Sequence, residues 1–181
     1  MTALGRYTLR AAAMHGGVPS AMLGELNDAL EHQGSGDGLY LTALVATVRA
    51  THGEVCATLA LAGHPPALVR RADGRVEPAG RHGVLLGIFP QVKLHDVELR
   101  LGPGDALVLY TDGVTDARSG RERFGEARLR AAIGQGDRPS AAALAAALDA
   151  AVADFSDGPA ADDLALLVLR VRDDQPPWDR T

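Results

Sequence analysis

The chain has 181 residues, 46% of them hydrophobic and 23% charged, with a formal net charge of −5. That is the composition of a globular domain with room for a buried core, and it excludes a disordered or fibrous chain. The acidic balance argues against a nucleic-acid-binding surface, which needs a basic stripe; Lys93 is the only lysine among 18 basic side chains.

Cys56 is the only cysteine, so neither an intrachain disulfide nor a thiolate-rich metal site is expected. Its place in the apolar run Val55–Leu59 reads as a small buried core position. The start Met-Thr-Ala-Leu-Gly-Arg lacks a basic segment followed by an apolar one, so no signal peptide is expected. No apolar run reaches the roughly 18 residues that span a bilayer, and the Ala-rich stretch 141–153 contains Asp149. A cytoplasmic protein with no membrane and no nucleic-acid partner is the expectation.

Taken in chain order, Leu4, Leu9 and Met14 predict one face of a helix that His15-Gly16-Gly17 ends. Pro19 and Ser20 open a second helix through Met22, Leu23, Leu26 and Leu30, closed by the loop 34–38. The runs Leu39–Val48 and Val55–Leu61 predict a hairpin across His52-Gly53. Ala67–Arg71 and Arg75–Pro78 predict another across Asp73-Gly74, a strong turn dipeptide. Val92 and Leu94, then Val97, Leu99 and Leu101, predict a strand whose phase slip marks a bulge. After the turn Gly102-Pro103-Gly104, Ala106–Tyr110 is a nearly continuous apolar strand. Helices are predicted around Glu126–Ile133 and from Ser140, a good N-cap, to about Phe155. Leu164–Val171 closes the pattern as an apolar strand, expected to be central and covered on both faces. Helices, then consecutive strands, then helices and a last strand give an α+β order: one domain over 1–172 with a loose tail over 173–181.

Three places have the residue types for chemistry. Asp112, in Tyr110-Thr111-Asp112-Gly113-Val114-Thr115-Asp116, follows an apolar strand, and Gly113 is suited to a sharp turn behind it. A carboxylate fixed at a strand end is aimed as a metal ligand must be, although Asp-Gly alone is also ordinary turn chemistry. Asp162-Asp163 stand at the mouth of the last strand, where adjacent like charges are costly unless a cation offsets them or water solvates them. Oxygen donors without a Cys/His cluster favour Mg²⁺ or Mn²⁺ over zinc. Gly63-His64, in Ala62-Gly63-His64-Pro65-Pro66, offer either a proton shuttle or a histidine bonded to the backbone of a proline turn.

The order of these and further landmarks carries more than any one of them. Asn27, Thr42, Ala62-Gly63-His64-Pro65-Pro66, Leu86-Gly87, Pro103-Gly104-Asp105, the 110–116 segment, Phe124-Gly125 and Asp162-Asp163 together resemble the SpoIIE branch of the PPM (protein phosphatase 2C-like) serine/threonine phosphatases. The resemblance implies an α-β-β-α sandwich of two packed, mainly antiparallel sheets flanked by helices. It also implies two Mg²⁺ or Mn²⁺ ions that activate a water to attack phosphoserine or phosphothreonine, commonly on an anti-anti-sigma factor. By motif, Asp112 and Asp162 are implied metal ligands, Asp163 and Gly113 support the site, and Gly63 and His64 match a mainly structural landmark. The family's Gly-Asp-x-x-x-Asp and Asp-x-x-Gly-His-Gly motifs, which supply the other ligands, are not among the 181 residues. The expectation is therefore a domain missing its first strands, with weak metal binding, little or no hydrolysis and self-association through exposed sheet edges. A non-catalytic phosphoprotein-binding module is the alternative.

Overall fold

The computed structural model describes residues 3–33, 39–51, 54–137, 139–158 and 163–172. In chain order the elements are α1 (Ala3–Met14), α2 (Pro19–Gln33), β1 (Ala43–Thr51), β2 (Glu54–Ala62), β3 (Ala67–Arg70), β4 (Val76–Ala79), β5 (Val97–Leu101), β6 (Ala106–Tyr110), α3 (Asp112–Thr115), β7 (Arg118–Ser119), β8 (Glu122–Arg123), α4 (Gly125–Gly134), α5 (Ala141–Phe155) and β9 (Leu166–Arg170). They form a mixed α+β fold in two compact units: Met1–Arg49, Cys56–Pro66 and Gly80–Arg100 make the first, and Ala50–Val55, Ala67–Ala79 and Leu101–Thr181 the second.

In the first unit, the i, i+4 spacing of Met22, Leu23, Leu26 and Leu30 places one apolar stripe along α2. Leu23, Leu26 and Leu30 are buried with Ala60 and Ala62 of β2 and with Leu86, each leucine contributing roughly 1.5–3 kcal/mol by leaving water. The helix α1 packs on α2; its buried residues are Gly5 and Ala12, and Leu4 and Leu9 are partly buried against the α2 leucine cluster. Met14 is 82% exposed and does not share that face. The strands order β1-β2-β5. The expected bulge is absent, because Val92 and Leu94 lie in irregular chain against the leucine cluster and only Val97–Leu101 is strand. Leu39 and Tyr40 precede the sheet as exposed coil. Cys56 is only half-buried, contrary to the reading as a core position.

In the second unit an antiparallel sheet runs β4-β3-β6-β9. The β3–β4 hairpin turns at Asp73-Gly74, where the Asp73 carboxylate accepts from the Arg75 amide at 3.0 Å. One face carries Leu68, Val108, Leu129, Ile133, Leu144, Leu148 and Val152, so α4 and α5 supply its cover. Ser140 Oγ caps α5 by accepting from Ala143 N at 3.1 Å. Phe124 meets Phe155 edge to face at 5.5 Å, and the Arg128 guanidinium stands 4.7 Å over the Phe155 ring. Arg70 is buried and donates to the Ile133 and Gly136 carbonyls at 2.9 and 2.7 Å, a cation at the negative end of α4.

The last strand departs from expectation. It pairs with β6 as predicted, from Ala106↔Arg170 to Tyr110↔Leu166, but β9 is the edge of the described sheet, not its centre. Its burial alternates: Leu166 and Val168 pack on the core, while Leu167 and Leu169 are 55% and 37% exposed. An unbroken apolar run therefore marked a strand without requiring cover on both faces.

Candidate active site

β6 ends at Tyr110, Thr111 stays extended, and Asp112 then begins the single helical turn α3. The turn closes through Asp116 N donating to Asp112 O at 2.7 Å and Val114 N to Thr111 O at 3.0 Å. Gly113 is helical and buried, so the sharp glycine turn expected behind Asp112 is in fact a helix start. Val114 buried beneath the turn keeps it on the core, and the Asp112 carboxylate stays exposed.

Thr111 joins this turn to the start of the last strand. Its amide donates to Ala165 O at 3.1 Å, its hydroxyl donates to Asp163 O at 2.8 Å, and the same hydroxyl accepts from Ala165 N at 2.9 Å. Asp112 and Asp163 thus flank one three-bond clasp. Asp162 lies outside the described residues. In the sequence Thr111 stands only as part of the 110–116 segment; a hydroxyl residue between a buried strand and an acid is the available signal, because such side chains bond backbone where a ladder ends.

The other landmarks hold the scaffold. Gly63 is left-handed, at φ 63°, and a Cβ there would stand 2.7 Å from Leu85 Cδ2; its amide donates to Gly83 O at 3.0 Å. His64 Nδ1 donates to the adjacent Pro65 carbonyl at 3.0 Å, the backbone-bonded alternative for this histidine. Both belong to the first unit, whereas Asp112, Gly113 and Asp163 belong to the second. In the first unit Asn27, buried on α2, accepts from Gly87 N at 2.9 Å and donates to Phe89 O at 3.0 Å, so two landmarks 60 residues apart are one contact. A side chain at Gly87 would strike Leu39 O at 2.1 Å. In the second unit Asp105 accepts from Ala72 N, Gly102 N and Arg71 Nη1 at 2.9, 3.1 and 2.8 Å. Arg71 also pairs with Glu77, and these carboxylates raise its guanidinium pKa further.

Burial pushes the Tyr110 phenol up to about 12, with Glu126 acting in the same direction and Arg130 against it; at neutral pH it is an uncharged member of the core under α4 and α5. The exposed Asp112 carboxylate is a hard oxygen donor and suits Mg²⁺ or Mn²⁺, ions that keep several waters and need only one or two protein acids. Among the described residues no three His, Cys, Asp or Glu side chains converge on one point. The described donors fit one hydrated ion and do not themselves fit a two-ion centre.

Comparison with known proteins bears on the family and the fold. The family model described as Stage II sporulation protein E (SpoIIE) matches residues 1–172. The SiaA-PP2C domain of Pseudomonas aeruginosa superposes with a TM-score of 0.72 at 23% identity, over 92% of this chain and 67% of that one. The PP2C phosphatase domain and regulatory-domain fragment of SpoIIE from Bacillus subtilis gives 0.72 at 17% identity, over 93% and 49%. The RsbU and RsbW domains of Rv1364c from Mycobacterium tuberculosis give 0.68 at 23%, over 95% and 47%. Protein IcfG of Synechocystis sp. (strain ATCC 27184 / PCC 6803 / Kazusa) is 39% identical over 69 residues, which span 38% of this chain and 11% of that protein. At these identities the structural likenesses show the fold, which is that of PP2C phosphatase domains. Among the described residues no helix is long and apolar enough to cross a membrane.

Proposed function

The chain belongs to the SpoIIE family of PPM-type phosphatases, and on that footing we propose that residues 1–172 form a metal-dependent protein serine/threonine phosphatase domain. Asp112 and Asp162 hold Mg²⁺ or Mn²⁺, and Asp163 and Gly113 support them. The substrate is a phosphoserine or phosphothreonine on a cytoplasmic regulatory protein of the anti-anti-sigma type. Bound at these acids, the ion would supply a water of lowered pKa and positive charge opposite the phosphoryl oxygens.

The observation that carries the reading is the Thr111 clasp. It fixes the backbone on which Asp112 and Asp163 stand, so the acids face their ligand without first being ordered. The Asp112 carboxylate is exposed and available to an ion and its waters. Gly63 acts through shape, by its close approach to Leu85, and His64 through its bond to the Pro65 carbonyl. Because the family's two other acidic motifs are not among the 181 residues, the chain as it stands binds a metal weakly and hydrolyses phosphoserine slowly or not at all.

That same donor count favours a second reading, a phosphoprotein-binding module that does not hydrolyse. The two are separated by phosphate release from a phosphoserine peptide at millimolar Mn²⁺, with the 181-residue chain alone and with a fusion that supplies the two acidic strands. Release that Asp112→Asn abolishes supports the phosphatase; binding of the peptide without release in either form supports the module. Among the described residues β9 is the edge of its sheet, and a second copy of the chain is a further proposed partner, adding a strand there.

A further inference from the structure

A cavity of about 400 Å³ opens in the second unit between α3, the β7–β8 hairpin and the C-terminal half of α5. Gly113 is part of its wall, and consecutive Cα atoms stand only ~3.8 Å apart, so the backbone of Asp112 lies one residue from the cavity, though its side chain is not part of the lining. Its volume lies in the range of sites that hold a small ligand group, roughly 300–1,000 Å³.

The wall chemistry decides what fits. Ala117, Val152, Ala153 and Leu164 form an apolar surface. The charged lining groups give no positive excess: Arg118 contributes one cation, against Asp149 and Asp157. Asp157 is engaged in fixing the hairpin, accepting from Gly120 N at 2.7 Å and donating its own amide to Arg118 O at 3.3 Å. Nearby Arg123 and Arg128 are paired with Asp116 and Glu122. A phosphate dianion gains nothing from such a wall, whereas an apolar side chain does. A peptide whose phosphoserine sits at Asp112 advances ~3.3 Å per residue when extended, so the residue one or two positions away reaches the cavity.

Resting on the phosphatase-domain reading above, we infer that this cavity is a specificity pocket that receives an apolar side chain flanking the phosphorylated residue of the protein substrate. Arg118 at its rim complements the charge of the phosphorylated segment, and α5 supplies the floor through Val152 and Ala153.

The test uses two fluorescein-labelled heptapeptides, each with a central phosphoserine, flanked on both sides by leucine in one and by glycine in the other. Anisotropy titration of the 181-residue chain at millimolar Mn²⁺, which offsets the repulsion between Asp112 and the phosphate, should show the leucine peptide binding about tenfold more tightly, as expected for burying one such side chain. Ala153→Trp, at an exposed helix position where the ring fills the cavity, should erase that preference while circular dichroism stays unchanged. In the unmodified chain, amide NMR shifts on titration should concentrate at Gly113, Ala153 and Leu164. Equal binding of the two peptides, no binding of either, a preference that survives Ala153→Trp, or shifts that map elsewhere would each overturn the pocket. Mn²⁺-dependent hydrolysis of para-nitrophenyl phosphate by the fusion that supplies the two acidic strands, abolished by Asp112→Asn, reports on the phosphatase reading separately. Hydrolysis by the fusion without leucine preference removes the pocket alone, and leucine preference without hydrolysis by the fusion removes the phosphatase alone.

Discussion

The Thr111 hydroxyl donates to the Asp163 carbonyl at 2.8 Å, across 52 residues of sequence, and so sets the approach of the last strand to the turn that bears Asp112. Thr111→Val keeps the shape and removes the clasp. It leaves one carbonyl and one amide to water, so thermal unfolding should report a loss of about 1 kcal/mol. Mn²⁺ affinity should fall by about tenfold, in line with losses on removing groups that orient metal ligands. Thr111→Ser should restore both, and a Val variant with unchanged Mn²⁺ affinity would show that the clasp does not position the acids.

The Asn27 contact predicts a purely structural cost. Asn27→Leu leaves the Gly87 amide and the Phe89 carbonyl without their partner inside the first unit. Each unpaired group costs on the order of 1–3 kcal/mol, so urea unfolding should show a loss of roughly 2–6 kcal/mol. A loss below about 0.5 kcal/mol would mean that water replaces the side chain.

Much of this was legible in the sequence because local chemistry and burial agreed. The leucine stripe of α2, the Asp73-Gly74 hairpin and the Ser140 cap each follow from residues within one or two turns of each other. The readings that failed depended on distant partners. Leu164–Val171 was read as covered on both faces from its composition, yet cover is decided by what lies beside β9 and not by its own residues. Met14 fits a helical stripe, but it is exposed while Leu4 and Leu9 pack against the α2 leucines. The place of Asp112 just past the end of β6 was legible from the apolar strand before it. The Thr111 clasp was not, because its partners stand more than 50 residues away.

The edge of β9 gives a prediction about association. Light scattering on the purified chain should show species larger than a monomer at high concentration. Leu167→Lys with Leu169→Glu should return it to the monomer, since charges on an edge strand oppose strand addition. A clean monomer before substitution would refute pairing at this edge.

The most direct test of Asp112 as a metal ligand is a calorimetric Mn²⁺ titration of the 181-residue chain beside its Asp112→Asn variant, at pH 7. The account predicts one weak binding event, with a dissociation constant weaker than about 0.1 mM because few protein acids share the ion, and its loss in the variant. Equal Mn²⁺ binding by the two chains would contradict it.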